Sequence, residues 1–391
     1  MRDKVILGLG FGDEGKGRVV DWLASKAEAV PRVVRFSGAH QAAHHVVHSD
    51  KLDHIFAHFG SGTLRGASTF WSHFCAVAPV ALMNEYTILR EKGVQPLLAI
   101  DPRCPLTTPY ELAWNKNDSR VKSHGSCGVG IYATRLREEK GFHILFEDIY
   151  HPQILKQKMK LLDGWGPFDG LRVDPRDVDF FLHRCNQLAD LSGIRLEESL
   201  QEFTTWPIVP SGIELIFEGS QGLLLDQSYG FFPHVTPSNT GTQNIRALVP
   251  RTDLDIWLVT RAYATRHGNG PFVPFENGNH PLVKLKPNPW EQNGDTGMQG
   301  KFKVAPISLD HLRYAVKKDE YLRAVGDRTT LVVTCVDQLD DEFIATQGGQ
   351  IVWYKTKQDL IHAIQAAVGS KTVLCSKSAL GDDPLYNAHD V

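Results

Sequence analysis

An apolar run, a glycine-rich turn and an amphipathic helical pattern follow one another at the start of the chain, in VILGLGFGDEGKGRVVDWLA from Val5 to Ala24. No other stretch constrains the fold as much. KVILGLG reads as a buried strand, and Val19, Val20, Leu23 and Ala24 share one face of a helix. PRVVRFSG reads as the next strand. Strand, glycine turn, helix and strand make a βαβ unit, which predicts a parallel sheet with right-handed crossovers. Later strands are predicted at PLLAID, ELIFEG, DIWLVTRA, TTLVVTCV and KTVLCS. Helices fit PVALMNEYTILREKG, VDFFLHRCNQLADLSG and SLDHLRYAVKKDEYL. Gly268–Thr296 is rich in Gly, Pro and Asn and reads as long surface loops. The expectation is an α/β fold with a mostly parallel central sheet flanked by helices. It is P-loop-like, carries loop insertions and forms one domain over residues 1–391.

Gly10 to Lys16 fits the phosphate-loop spacing G-x-x-x-x-G-K, but Gly17 follows where Ser or Thr usually holds a magnesium ion. Gly10, Gly12 and Gly15 also satisfy G-x-G-x-x-G. A dinucleotide site wants an acid about 20 residues further on, and no Asp or Glu lies between Glu28 and Asp50. The phosphate reading is the stronger one. Gly12, Glu14, Gly15, Lys16 and Gly17 make up the candidate cradle, since loop amides and a helix N-terminus bind phosphate. A carboxylate beside a phosphate is repelled unless a cation lies between them. Mg²⁺ takes oxygen ligands and bridges carboxylates to phosphates, so Asp13 is the natural metal ligand. It is also placed to act as a base toward a second substrate. Glu14 reads as a charge at the helix start, favoured by the macrodipole.

Composition narrows the function classes. The chain has 391 residues, 42% hydrophobic and 22% charged, with a formal net charge of -3. There is no electrostatic footprint for nucleic acid or an anionic membrane. Six cysteines form no CxxC pair and suit neither a zinc site nor a disulfide framework. They read as reduced thiols of a cytoplasmic protein. No signal-peptide-like start and no run of about 18 apolar residues is present, so no membrane span is expected.

Five ordered blocks carry a resemblance. GFGDEGKGRVVDWLA resembles the W-G-D-E-G-K-G phosphate loop of the adenylosuccinate synthetase family. VVRFSGAHQAAHHVV, FGSGTL, FEGSQGLLLDQSYGFFPHVTPSNT and RAYATRHGNGPF are similar to further blocks of that family in the same order. The family condenses IMP with L-aspartate, using GTP and Mg²⁺: it phosphorylates the purine 6-oxygen, and the aspartate amine displaces that phosphate. The resemblance implies Asp13 as the base for the N1 proton and a Mg²⁺ ligand, with the Ala39 carbonyl as a second ligand. It implies His40 as the acid at the 6-oxygen and Gln221 at the purine 6-position. Thr236 matches a threonine that holds the nucleotide 5′-phosphate. A homodimer lending an arginine across its interface is also implied. On the residues alone, His40 and His44 stand four apart and could share a helix face with a metal. Asp13 and His40 as base and acid suit proton traffic better.

The chain departs from the family pattern elsewhere. In GSCGVGIYATRLR, Cys127 stands at a phosphate-binding Thr, with Ser126 beside it. Val129 replaces an Arg, and Arg135 or Arg137 is left to reach the partner subunit. The aspartate loop reads GDTGMQGKFK: Thr296 and Gly297 remain, while Lys301 and Lys303 stand in for arginines. Lys cannot grip a carboxylate bidentately. TCVDQLD keeps Asp337 for a guanine edge but has Cys335 where a Lys stacks on the base, and Ser376 opens the altered tail motif SKSALG. These losses resemble a phage branch that joins aspartate to dGMP and tolerates adenine-type donors, although that branch typically loses the loop aspartate retained here as Asp13. IMP chemistry is the first reading and dGMP chemistry the second. A nucleotide-binding regulator would not need Asp13, His40 and Gln221 together. A simple NTPase would need no purine acceptor.

Overall fold

The computed structural model describes residues 2–49, 52–117, 127–204, 214–249, 253–272, 280–291, 293 and 300–390. A ten-stranded sheet organises them. Its spatial order is Tyr386–Asn387, Thr372–Cys375, Thr329–Thr334, Asp255–Arg261, Lys4–Gly8, Leu215–Gly222, Arg32–Arg35, Ser68–Trp71, Leu98–Ile100 and Ile194–Leu196. Every ladder is parallel except the outermost pair, Thr372–Cys375 with Tyr386–Asn387. Lys4–Gly8 is central. Val5, Ile6 and Leu7 are fully buried, because helices and loops cover both faces of the sheet. From this strand the sheet builds outward both ways, so the loop after Gly8 opens at a topological switch point. Ligands of doubly wound sheets bind at such places.

Two apolar layers clamp the sheet. Ile6 packs with Val19, Val20 and Leu23 of the helix Lys16–Lys26 on one face. Val5 and Leu7 join Phe36, Phe217 and Leu258 on the other. A further core gathers Trp71, Leu82, Leu89, Phe146 and Phe181 beneath the helices Pro79–Glu91 and Pro175–Ala189. Among the described residues no helix is long and apolar enough to cross a membrane.

The predicted strands form, as do the helices Lys16–Lys26, Pro79–Glu91 and Pro175–Ala189. The helix expected over residues 308–322 is two helices, Leu309–Lys318 and Glu320–Val325. Asp319 breaks it. Its carboxylate takes the Tyr321 and Leu322 N–H groups at 3.0 and 3.1 Å, and the distant Thr242 hydroxyl at 2.7 Å. The hairpin His44–Ser49 with Leu52–Phe56, the strand Ser68–Trp71 and the helix Lys357–Val368 were not among the predicted elements. Described residues between 268 and 293 form no helix and join no strand ladder, as expected of that stretch.

Candidate active site

The loop leaving the central strand is shaped by glycine. Gly12 (φ 119°) and Gly15 (φ 87°) adopt the left-handed region, and Gly15 caps the helix that Lys16 begins. Gly17 answers the missing-hydroxyl question sterically: a Cβ there would lie 2.8 Å from His44 Cβ and 2.9 Å from Ser61 Oγ. The helix start is pressed against the hairpin, and neither Ser nor Thr fits. The Lys16 ammonium is buried and donates to the Gly12 carbonyl at 2.8 Å and the Glu14 carboxylate at 3.0 Å. Glu14 does not charge the first helical turn, as its sequence position suggested. It folds back and accepts the Gly10 and Gly12 N–H groups at 3.0 and 2.8 Å.

Asp13 lies beside a histidine and an arginine. Its carboxylate is 3.8 Å from His267 Nε2, and Arg261 donates to its backbone carbonyl. Burial pushes the Asp13 carboxyl up, while His267 and Arg261 pull it down. Arg261 also binds Glu291 at 2.6 Å and the Tyr263 hydroxyl at 2.9 Å. His267 meets Asn293 Oδ1 at 3.0 Å and packs on Phe302.

His40 follows the strand Arg32–Arg35 through Ser37, Gly38 and Ala39. Gly38 is left-handed (φ 73°), and its N–H donates to Ser238 Oγ at 3.0 Å. A Cβ on Gly38 would sit 2.6 Å from Gln221 Oε1, and one on Gly12 would be 4.0 Å from Gln221 Cα. Gln221 therefore lies between the Asp13 loop and the His40 loop. The His40 ring stacks on His58, 5.5 Å between centroids and 5° from parallel. His58 in turn faces Glu85 at 3.2 Å. Burial, reinforced by His58 and opposed by Glu85, pushes the His40 imidazole down to about 3. His40 Nδ1 and Gln221 Oε1 are buried with no hydrogen-bond partner among the described residues. Buried polar atoms of this kind suit a ligand that is polar at the same place.

His44 does not share a helix face with His40. It opens the hairpin, and its Nδ1 lies 2.5 Å from Glu218. Among the described residues no three His, Cys, Asp or Glu side chains are grouped to hold a metal. The donors at hand are the Asp13 carboxylate and the Ala39 carbonyl, which also accepts the Ala42 N–H at 3.2 Å. Hard oxygen donors without a protein cage fit Mg²⁺, which completes its shell with water and phosphate oxygens.

The other expected residues divide. Thr236 is half-buried, and its carbonyl accepts the N–H of Ser238, whose hydroxyl holds Gly38. Cys127 is half-buried, close in sequence to Val129 and Ile131, which pack on Ala39. Ser126, Thr296 and Gly297 lie outside the described residues. Arg137 cannot reach a partner: it is fully buried and spent on Glu111, Glu138 and the carbonyls of Leu106 and Phe142. Arg135 donates to the Phe74 carbonyl. Lys303 is not an open grip. It is buried in the strand Lys303–Ala305, opposite Arg266, 5.7 Å from the Phe272 ring, while Lys301 is exposed. Asp337 is exposed just beyond Thr334, whose hydroxyl binds the Glu14 carbonyl at 2.7 Å. Cys335 between them is left-handed (φ 59°). Ser376 is buried, and its hydroxyl is taken by the Ser378 carbonyl at 2.9 Å.

Sequence reasoning gave no role to Arg261, Arg266, His267 or Glu291. Arg266 lies 4.2 Å over the Phe11 ring and donates to the Asn269 and Pro271 carbonyls. Burial lowers it to about 10. Three of the four stand in the block RAYATRHGNGPF, where a cluster of basic residue types at a strand end was the available signal.

A family model described as adenylosuccinate synthetase matches residues 5–341. The adenylosuccinate synthetase of Neisseria gonorrhoeae is 34% identical over 297 residues, covering 69% of this chain and 64% of that protein. That of Pseudomonas fluorescens is 34% identical over 286 residues with the same shares. The matched stretch thus spans under two thirds of these relatives' length. The structure of a fully ligated adenylosuccinate synthetase from Plasmodium falciparum superposes with TM-score 0.72 at 16% identity, over 99% of this chain and 100% of that one. The succinoaminodeoxyadenylate synthetase of cyanophage S-2L, bound to dGMP and to dATP as energy donor, gives 0.64 at 15%, over 99% and 96%. At such identities these two structures speak for the fold.

Proposed function

The chain belongs to the adenylosuccinate synthetase family, and from that premise we propose that it is a carbon–nitrogen ligase joining L-aspartate to the 6-oxo position of a purine mononucleotide. IMP is the acceptor in the first reading and adenylosuccinate the product. The observation that carries the proposal is the meeting at Gln221 of the Asp13 loop and the His40 loop, at the end of the central strand.

In this reading Asp13 accepts the N1 proton, and the 6-oxygen attacks the terminal phosphorus of the donor as the nucleoside diphosphate leaves. The aspartate amine then adds at C6, loses a proton, and inorganic phosphate departs with the former 6-oxygen. Lys16 and the loop amides hold the donor phosphates. Gln221 orients the 6-position. Burial keeps His40 neutral in the free site, so it meets the 6-oxygen as a neutral hydrogen-bond donor and gains a proton only as phosphoryl charge builds beside it. A Mg²⁺ ion on Asp13 and the Ala39 carbonyl would offset charge on the phosphoryl oxygens. Arg261, which donates to the Asp13 carbonyl, is a candidate cation for the aspartate side. A homodimer and a cytoplasmic location complete the proposal.

A second reading takes dGMP as acceptor with ATP or dATP as donor. Cys335 in place of a stacking Lys favours it, as do the lysines in the aspartate loop. Retained Asp13 opposes it. One assay separates the two: enzyme, Mg²⁺ and aspartate crossed against IMP, GMP and dGMP with GTP, ATP and dATP, read by mass spectrometry. A succinyl adduct of IMP alone supports the first reading, and an adduct of dGMP supports the second. NTP hydrolysis without any adduct would overturn the ligase assignment.

A further inference from the structure

The candidate phosphate cradle already holds an anion. Glu14 is 4% exposed. One of its carboxylate oxygens accepts the N–H groups of Gly10 and Gly12, and the other lies 3.0 Å from the buried Lys16 ammonium. Loop amides and the loop lysine are the groups that grip phosphate in loops of this spacing. The backbone leaves room for this arrangement. A Cβ on Gly8 would lie 2.2 Å from Glu14 Oε2, and one on Gly10 would lie 2.8 Å from Oε1. The backbone of Glu14 is fixed as well, since Thr334 holds its carbonyl. Only the side chain has to move for a phosphate to reach the same groups.

We propose that Glu14 is a resident counter-anion of the phosphate loop, standing where a donor phosphate binds and displaced by it. The inference rests on the phosphate-loop reading above. If the filled loop is the dominant state, every anion that uses Gly10, Gly12 and Lys16 binds more weakly by the fraction of loop left open. A lone phosphate regains at these groups little more than the carboxylate gave up. A triphosphate also reaches the N–H groups at the start of the helix Lys16–Lys26. Glu14 thereby raises by a common factor the concentration that any such anion needs, and a triphosphate, with its extra contacts, still binds at concentrations where inorganic phosphate and the acceptor mononucleotide do not. It sets the affinity threshold of the loop.

A purely supporting Glu14 gives the opposite sign. Removing a support loosens the loop and weakens anion binding, whereas removing a competitor tightens it. Binding of orthophosphate, pyrophosphate and tripolyphosphate to the full chain is measured by calorimetry for the wild type, Glu14→Gln, Glu14→Ala and Lys16→Met. The expected result is that both Glu14 variants bind all three anions more tightly by a similar factor, about tenfold or more if the filled loop outnumbers the open one tenfold. Lys16→Met should bind none of them well. Unchanged or weaker binding by both Glu14 variants overturns the proposal, while wild-type binding that Lys16→Met abolishes leaves the phosphate loop standing. Tripolyphosphate binding that is absent in all proteins, or that survives Lys16→Met, overturns the phosphate-loop reading and the counter-anion with it.

Discussion

The end of the central strand and the rim around it obey different rules. At the strand end, Gly12, Gly15, Gly17 and Gly38 bring backbone and side chains so close that a Cβ at Gly17 or Gly38 meets an atom within 3 Å. Asp13, Lys16, His40 and Gln221 hang from this packed frame. At the rim, Lys301, Asp337 and Glu291 stand on connecting segments, partly or fully exposed. The resemblance to the family pattern is close at the first place, while at the second Lys301 stands in for an arginine and Cys335, near the retained Asp337, for a lysine. A frame locked by close approach admits few substitutions without disturbing several strands. A rim built from loops changes its contacts one residue at a time. The part proposed to activate the 6-oxygen is therefore harder to alter than the parts proposed to choose the donor base and to grip the carboxylate.

Four variants test that contrast, in descending order of effect. Asp13→Ala should abolish ligation with little change in melting temperature, since trimming a loop side chain removes no core packing. Near wild-type turnover would break the assignment of chemistry to the strand end. His40→Asn should lower kcat by roughly 10²–10⁴-fold, the usual worth of a positioned acid or base. A change in KM alone would make His40 a binding residue. Gly17→Ser restores the hydroxyl common in such loops, yet it should destabilise the protein by about 1–3 kcal/mol in urea titration, because overpacking at His44 and Ser61 must be relieved. A stable Gly17→Ser protein with unchanged activity would show that the frame is looser than it is drawn.

The last effect concerns pH and is confined to the acid limb of the stability curve. Burial disfavours the Glu218 carboxylate, but His44 and Arg35 outweigh it and hold the group at about 2. Its unfolded value is about 4.3. A carboxyl depressed on folding lends stability above the unfolded value and loses it as pH falls toward the folded one. Glu218 should therefore contribute up to about 3 kcal/mol near neutrality, fading between roughly pH 4 and pH 2. Glu218→Gln should flatten that part of the stability curve. An unchanged acid limb would mean that the His44–Glu218–Ser61 contacts carry no net charge stabilisation.

The frame was legible in the sequence because its signals are local. Strands buried on both faces leave continuous apolar runs, and the loop spacing places Asp13 and Lys16 without reference to anything distant. What was hidden depends on partners far along the chain. Asp319 splits a helix because Thr242, 77 residues away, helps fix its carboxylate. The hairpin from His44 to Phe56 escaped because histidines occupy positions where apolar residues would mark a strand: His44 and His54 are buried. Glu14 read as a helix-start charge because sequence position gives no direction to a side chain. Lys303 read as a grip, and only the ladder with Ala264–Arg266 reveals that it is buried.

The central claim is that the purine 6-oxygen is phosphorylated and leaves as phosphate when aspartate enters. The direct measurement starts from IMP carrying ¹⁸O at the 6-position, with dGMP labelled likewise for the second reading, in the presence of unlabelled donor, Mg²⁺ and aspartate. The account predicts one ¹⁸O in the inorganic phosphate for each succinyl adduct formed and none when aspartate is omitted. Adduct formation with unlabelled phosphate, the ¹⁸O being found in water, would contradict it.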